Sequence, residues 1–515
     1  MGAQRPAPDP SGAGRLVDGP AAELIHSAYL LELRSAPALL PELVLADLAH
    51  ILALLDGGLV PPNAGRALIR ALLELREAGT PRIVDGVEAS DHGGVPLDPA
   101  RGDLVMNVEE WLRGRIGRAA GYLLVGRPRR EAITVAFHLA VRRRVVSLAS
   151  ALERLQRIEV ELASAHVGTL AVDYTYWQAA QPTSLAHALL AYAYPLGRDF
   201  ERLQAAFGRV NASPAGAGCT NGAAIPLDRA AIAAELGFDG VVLHTRDANW
   251  QPDLAFELTA IAASAGLALD RLAEDLQTWG TREFGFVELA DRATRVSLAM
   301  PQKKNPYALI FVRGAAARLI GRVAGAGSLA KTASGQPDPR IFAQDEVPDS
   351  LDLAEQSAAL LAEVLAGIRF DTERMDAAAR RGYLAGNDLA ERIMYARELP
   401  FGEAHRIVGA AVRRALQAGR DSDGIDASTL DAAAVEVTGA PLGLSDSDVQ
   451  DALDPVAAVA RRTGIGGAAA EPVGRLIEER RRALRRQRRW IAVRKLAIEQ
   501  AETALVARAR AAVAG

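Results

Sequence analysis

From Ala21 onward, apolar residues return at three- and four-residue steps, and this rhythm limits the possible folds more than any other feature. Stripes spaced in this way mark helices with one buried face. Ala, Leu, Arg and Glu, all strong helix formers, are in excess, and β-branched or aromatic runs are few. The expected fold class is all-α. At 515 residues the chain buries a large core and divides into more than one domain. Residues 1–20 read as a disordered lead and 21–125 as an N-terminal helical domain, broken by the Gly- and Pro-rich segment 85–102. The longest stripes fall in a central domain, 126–375, where such helices bury themselves in a bundle. A C-terminal helical domain follows at 376–485, with Arg420 to Asp426 as a surface loop around Gly424. A basic helical extension, 486–515, ends the chain.

Composition narrows the partners. Lys and Arg number 59 against 63 Asp and Glu, so neither nucleic acid nor an anionic membrane is demanded. The single cysteine, Cys219, excludes an intrachain disulfide framework and fits a reducing compartment. The N-terminus lacks the apolar core of a secretion signal, and no run reaches the roughly 18 uncharged apolar residues of a membrane span. A cytoplasmic location is expected. Near the C-terminus Arg480, Arg481, Arg482, Arg485, Arg486, Arg488, Arg489, Arg494 and Lys495 read as a solvated helical face, with anion or nucleic-acid binding as the alternative. Trp490, Ile491, Val493, Leu496 and Ile498 interrupt them, so part of this helix packs on the body or on a second subunit.

The chemistry concentrates between Arg295 and Ile320, in RVSLAMPQKKNPYALIFVRGAAARLI. Pro301 and Pro306 push the residues before them toward extended backbone, so a loop feeds a helix. Asn305 suits the N-cap and Pro306 the first helical position. Leu309, Val312, Ala316, Leu319 and Ile320 then form a buried stripe. Lys303 and Lys304 stand beside unpaired N–H groups and the positive end of a helix dipole, which together suit an anion. Removing a proton from a carbon beside a carboxylate pushes charge onto the carboxylate oxygens, and donors already aimed there lower the barrier. Lys303 and Asn305 are such donors, and the hydroxyl of Ser297, near fixed positive charge, can act as the base. A solvated helix entrance is the other reading of the same residues.

MPQKKNP resembles the signature of the fumarase/aspartase superfamily, specifically its argininosuccinate lyase branch. RLAEDLQTWGTREFGFVEL resembles the segment leading into that loop, and YTYWQAAQPTSLAHALLAY and GAGCTNGAAIPLDRAAIAAELGFDG resemble segments upstream. RRGYLAGNDLAERIMYARELPFGEAHRIVG and LDPVAAVARRTGIGG resemble its C-terminal domain, so the likeness covers most of Leu43 to Arg482. It implies a three-domain fold whose long central helices form a homotetrameric bundle, with each active site assembled from three subunits. It further implies a β-elimination that releases fumarate from a substituted succinate without metal or organic cofactor. The partner is a small carboxylate substrate, not nucleic acid or membrane. Ser297 matches the base on the flexible loop, Lys303 the carboxylate-binding lysine, Asn305 its neighbour and Thr175 a substrate-binding threonine.

The departures from this pattern matter as much. Val296 and Leu298 flank Ser297 where the lyases have Gly-Ser-Ser, so a flexible glycine gives way to a stiff side chain. The family's histidine is Tyr176 here, and its glutamate partner falls on Ile310. A histidine needs a partner to fix its tautomer and a tyrosine does not, so the joint loss is coherent. A phenol, with an ordinary pKa of about 10, is protonated at neutral pH and can hand its proton to a leaving group; filling space is the alternative for Tyr176. His187 reads as structural, and His166 lies on a helix end with no companion. The family's Arg-Ser-Arg-Asn-Asp run reads Arg127-Pro128-Arg129-Arg130-Glu131, and a family serine has become Asp47. Asp47 and Arg130 either pair or receive a substrate with differently placed charges. Gln344 survives from a Gln-Glu-Asp-Lys stretch whose tyrosine and lysine do not. An uncompensated buried charge reversal is destabilising by several kcal/mol, which argues against argininosuccinate as the main substrate.

The sequence therefore reads as an argininosuccinate-lyase-like enzyme, with Ser297, Tyr176 and Lys303 catalytic and Thr175, Asn305, Arg129, Arg130, Asp47 and Gln344 binding substrate. One alternative is a non-catalytic structural relative, supported by the lost His–Glu pair and loop glycine. Another is an enzyme working across a C–O bond. Retention of Ser297, Lys303, Asn305 and Thr175 together favours catalysis.

Overall fold

The computed structural model describes residues 19–79, 81–83, 95–331, 340–421 and 424–514. Most of the expected lead and of the Gly- and Pro-rich segment lies outside the described residues, as do two residues of the 420–426 loop. Helices dominate. The N-terminal region contains α1 (Ala36–Asp56), α2 (Pro62–Glu77) and α3 (Leu104–Ile116). Next come α4 (Arg129–Ala165), a hairpin of β1 (Leu170–Thr175) and β2 (Gln178–Ser184), α5 (Leu185–Val210), α6 (Arg229–Glu235) and α7 (Pro252–Trp279). Short strands β3 (Val287–Glu288), β4 (Arg295–Val296) and β5 (Lys304–Asn305) precede α8 (Tyr307–Ala330), α9 (Arg340–Ala366) and β6 (Arg369–Phe370). The C-terminal part holds α10 (Thr372–Ala379), α11 (Gly386–Arg397), α12 (Phe401–Gln417), α13 (Ala427–Thr438), α14 (Asp446–Leu453), α15 (Pro455–Ala460) and α16 (Ala470–Ala514). Among the described residues the strands pair only in twos, so the fold is all-α as expected.

The polarity of the long helices decides where site residues fall. Pro128 fixes the entry to α4, whose 37 residues span about 55 Å at a rise of 1.5 Å each. Near its start Thr134, Phe137 and His138 meet Trp250 and Leu254 at the head of α7 and Arg340 and Ala343 at the head of α9. Toward its end Val160 and Ala163 share a cluster with Phe286 and Val287, just past α7. Helices α4, α7 and α9 therefore run parallel. Helix α8 runs the other way: Arg313 near its start binds Glu274 late in α7 at 3.1 Å, and Arg322 further on binds Glu346 early in α9 at 3.1 Å. Most buried apolar residues from α1 to α9, with Ile491, Ile498, Leu505 and Ala509 of α16, form one continuous core, while Leu389 to Leu453 form their own.

The expected boundary between 485 and 486 falls inside a single helix, α16, 45 residues long. Its basic part packs on the chain's own body. Trp490 sits edge-on to Phe200 and Phe207 at 5.7 and 5.3 Å, and Arg488 binds Glu153 at 2.7 Å. The segment Ala22–Asp56 and α7 are long and apolar enough to cross a membrane, but 78% and 56% of their most apolar windows are buried against protein.

Candidate active site

The MPQKKNP loop is the tip of a hairpin. Strands β4 and β5 pair Arg295 with Asn305 and Val296 with Lys304. Ser297 and Lys303 are thus the first residues beyond the ladder, on opposite arms. The Ser297 hydroxyl oxygen accepts the Met300 N–H at 3.1 Å, a contact that favours an ionised oxygen. Lys304 is engaged by Asp291 at 2.7 Å and Glu288 at 3.5 Å, whereas Lys303 carries no ion pair among the described residues.

The helix entrance differs from expectation. Helix α8 begins at Tyr307, preceded by Pro306 without a side-chain cap. Asn305 does not cap it: the ladder holds its backbone, and its amide donates to the Arg295 carbonyl at 3.1 Å, closing the base of the hairpin.

Thr175 ends β1 and pairs with Gln178, so Tyr176 and Trp177 form a two-residue turn. Both have positive φ, 52° and 59°, the type I′ geometry that suits the right-handed twist of the strands but disfavours bulky side chains. Tyr176 is 98% exposed. Behind the turn Tyr174 stacks edge-on to Phe284 at 5.4 Å, which meets Phe286 at 5.6 Å. The next residues form β3, whose Glu288 reaches Lys304, so the two hairpins lie at the same end of the molecule. Ile310, in place of the lost glutamate, is 47% exposed. His187 bonds the Gly466 carbonyl at 3.1 Å, in keeping with a structural role, and His166 has a companion after all in Thr169 at 3.0 Å.

Arg129, Arg130, Asp47 and Gln344 lie at the opposite end. Arg129 binds Asp103 at 3.0 Å. The Arg130 carbonyl accepts from Thr134 at 2.8 Å and from Arg340 at 3.3 Å, and Thr134, Arg340 and Gln344 line a cavity of about 20 Å³. Asp47 does not pair with Arg130. It is 1% exposed and bound to Arg127, with burial pushing its carboxyl up against the pull of that guanidinium. Facing an interior partner from α1, it has no side open to substrate in one chain. Thr175 follows the end of α4 and Arg129 begins it, so one chain holds these two groups about 50 Å apart.

Sequence reasoning missed Arg127 as the partner of Asp47, and also Glu131. The carboxylate of Glu131 accepts the N–H groups of Gly216 and Gly218, each at 2.6 Å. The Gly-Ala-Gly spacing was a signal for a tight turn, but nothing local names the acceptor.

The geometry has known counterparts. The family model for Lyase matches residues 83–321, and that for Argininosuccinate lyase C-terminal matches 383–460. The argininosuccinate lyase of Methanoculleus marisnigri is 35% identical over 91% of this chain and 92% of its own, and that of Moorella thermoacetica 34% over 90% and 95%. EDDS lyase in complex with formate superposes with a TM-score of 0.84 at 27% identity, covering 98% of this chain and 99% of its own. A variant of EDDS lyase with bound fumarate superposes equally well, at 0.84. The chain belongs to the argininosuccinate lyase branch of the fumarase/aspartase superfamily and is a carbon–nitrogen lyase.

Proposed function

We propose that this lyase removes an amine from an N-substituted aspartate other than argininosuccinate and releases fumarate. The observation that carries the reading is the placement of Ser297 and Lys303 opposite one another at the mouth of the β4–β5 hairpin. Ser297, ionised in the field of Lys303, takes the proton from the carbon beside the carboxylate, and its electron pair forms the double bond. The C–N bond breaks, and the nitrogen receives a proton from the Tyr176 phenol. Lys303, Thr175 and Asn305 hold the carboxylates. Arg129, Arg130 and Gln344 meet the amine portion, and a second cation at Arg130 disfavours the guanidinium of argininosuccinate. The likeness to an EDDS lyase variant with bound fumarate supports fumarate as the released acid. Homotetramer assembly joins the two ends of the bundle from different subunits. We place the enzyme in the cytoplasm, in amino-acid or specialised metabolism.

The test follows fumarate release by ultraviolet absorbance from EDDS, argininosuccinate and other N-substituted aspartates, and amine addition to fumarate. Ser297→Ala is expected to lower kcat at least ~10²-fold. Equal turnover by that variant, or a preference for argininosuccinate, would sink the reading. Hydration of fumarate without any amine would instead favour C–O chemistry.

A further inference from the structure

The carboxylate of Glu131 is fully buried, at 0% exposure. It accepts two backbone N–H groups, one per oxygen, from Gly216 and Gly218. Those glycines wind tightly, with φ of 71° and 64°, and a Cβ on Gly218 would stand 2.4 Å from the Gly222 carbonyl oxygen. The same turn is tied through its carbonyls: Asn249 donates to Gly218 at 2.9 Å and Arg229 to Ala215 at 2.9 Å. Glu131 is adjacent in sequence to Arg130, so every movement of this turn is coupled to the first turn of α4.

We propose that Glu131 is a positioning residue that clamps the 213–222 loop to the head of α4 and thereby sets how Arg129 and Arg130 meet the amine portion of the substrate. This rests on the reading of those arginines given above. A carboxylate shared by two amides is a charge-assisted contact, stronger than a neutral one. Two charges face it, Arg127 and Arg229. Burial pushes the Glu131 carboxyl up to about 7, with Arg127, the two amides and Arg229 pulling the other way. On protonation it loses one acceptor, so the clamp is tightest above about pH 7, where burying the charge also weakens the fold most.

Hydrogen exchange of the peptide spanning 213–222, in the full-length protein, reads the clamp without any substrate. Wild-type protection, corrected for intrinsic rates, is expected to fall several-fold as pH drops from about 8 to about 6, and Glu131→Gln to be poorly protected at both. Asn249→Ala cuts a carbonyl tie but leaves the carboxyl, so it should keep the pH dependence. In kinetics Glu131→Gln is expected to raise KM for the N-substituted aspartate about tenfold with kcat nearly unchanged, while competitive inhibition by fumarate stays within about twofold. Should Gln unfold the chain, Glu131→Asp, one methylene shorter, replaces it. Unchanged protection in the variant, or protection flat in pH, overturns the clamp. Lost protection with unchanged KM overturns the positioning role. Failure of the wild type to turn over any aspartate overturns the functional reading instead, and the exchange experiment still decides the clamp.

Discussion

Glu159, late in α4, shows what one buried group does to a bundle. Among the described residues neither carboxyl oxygen has a hydrogen-bond partner, the side chain is wholly buried, and burial alone raises its pKa well above 4.5. A carboxyl with a raised folded pKa stabilises fully below its unfolded value, and that stability drains away as pH rises toward the folded value. Replacing Glu159 with Gln removes the titration. The unfolding free energy of Glu159→Gln minus that of wild type should therefore grow as pH rises above about 5, by up to ~1.4 kcal/mol per pH unit while the window lasts. Calorimetry across that range measures it, and a flat difference would mean the carboxyl is not isolated. Residues of this kind lie beyond sequence reading. The motif spacing made Ser297 and Lys303 legible as candidates, because the chemistry demands a base and a fixed cation close together in the chain, whereas Thr175 rested on the family resemblance alone. It did not distinguish Arg127 from Arg130 as the partner of Asp47, since that choice depends on how α1 crosses the head of α4.

Long helices were legible because a stripe of three- and four-residue steps repeats many times, whereas two-residue strands such as β4 and β5 offer no period to detect. The same limit concealed the true entry to α8, where hairpin pairing claimed Asn305 before the cap did. The Tyr176–Trp177 turn was hidden for another reason. Asn-Gly is the usual sequence for such a turn, and two bulky residues held at positive φ cost roughly 1–2 kcal/mol each. Strain of this sort persists where function uses it. Replacing the pair with Asn-Gly should raise stability by about 1–2 kcal/mol in denaturant unfolding and yet lower kcat at least ~10²-fold. Tyr176→Phe separates the two effects, keeping the turn and removing the proton. Turnover equal to wild type in Tyr176→Phe would remove the phenol from the mechanism.

At the scale of the molecule, parallel α4, α7 and α9 hold the two halves of the proposed site about 50 Å apart in one chain. On the proposed assignment of the site, a second chain with its bundle reversed would bring the arginine end of one copy to the serine and threonine end of another. The fold of a single chain was thus largely readable from its stripes, but the proposed site was not, because its two halves lie at opposite ends of that chain. Light scattering should report about four times the 54.5 kDa chain mass. A sharper test mixes two inactive variants, Ser297→Ala and Arg130→Ala, after unfolding and refolding together. If these positions meet across subunits, random mixing places an intact pair at about a quarter of the sites, and activity returns to about that fraction of wild type. If both positions serve a site within one chain, no site in the mixture is intact and activity stays at the level of the parents. Recovery requires no new contact in either variant, so it depends on geometry alone and is insensitive to which amine the enzyme releases.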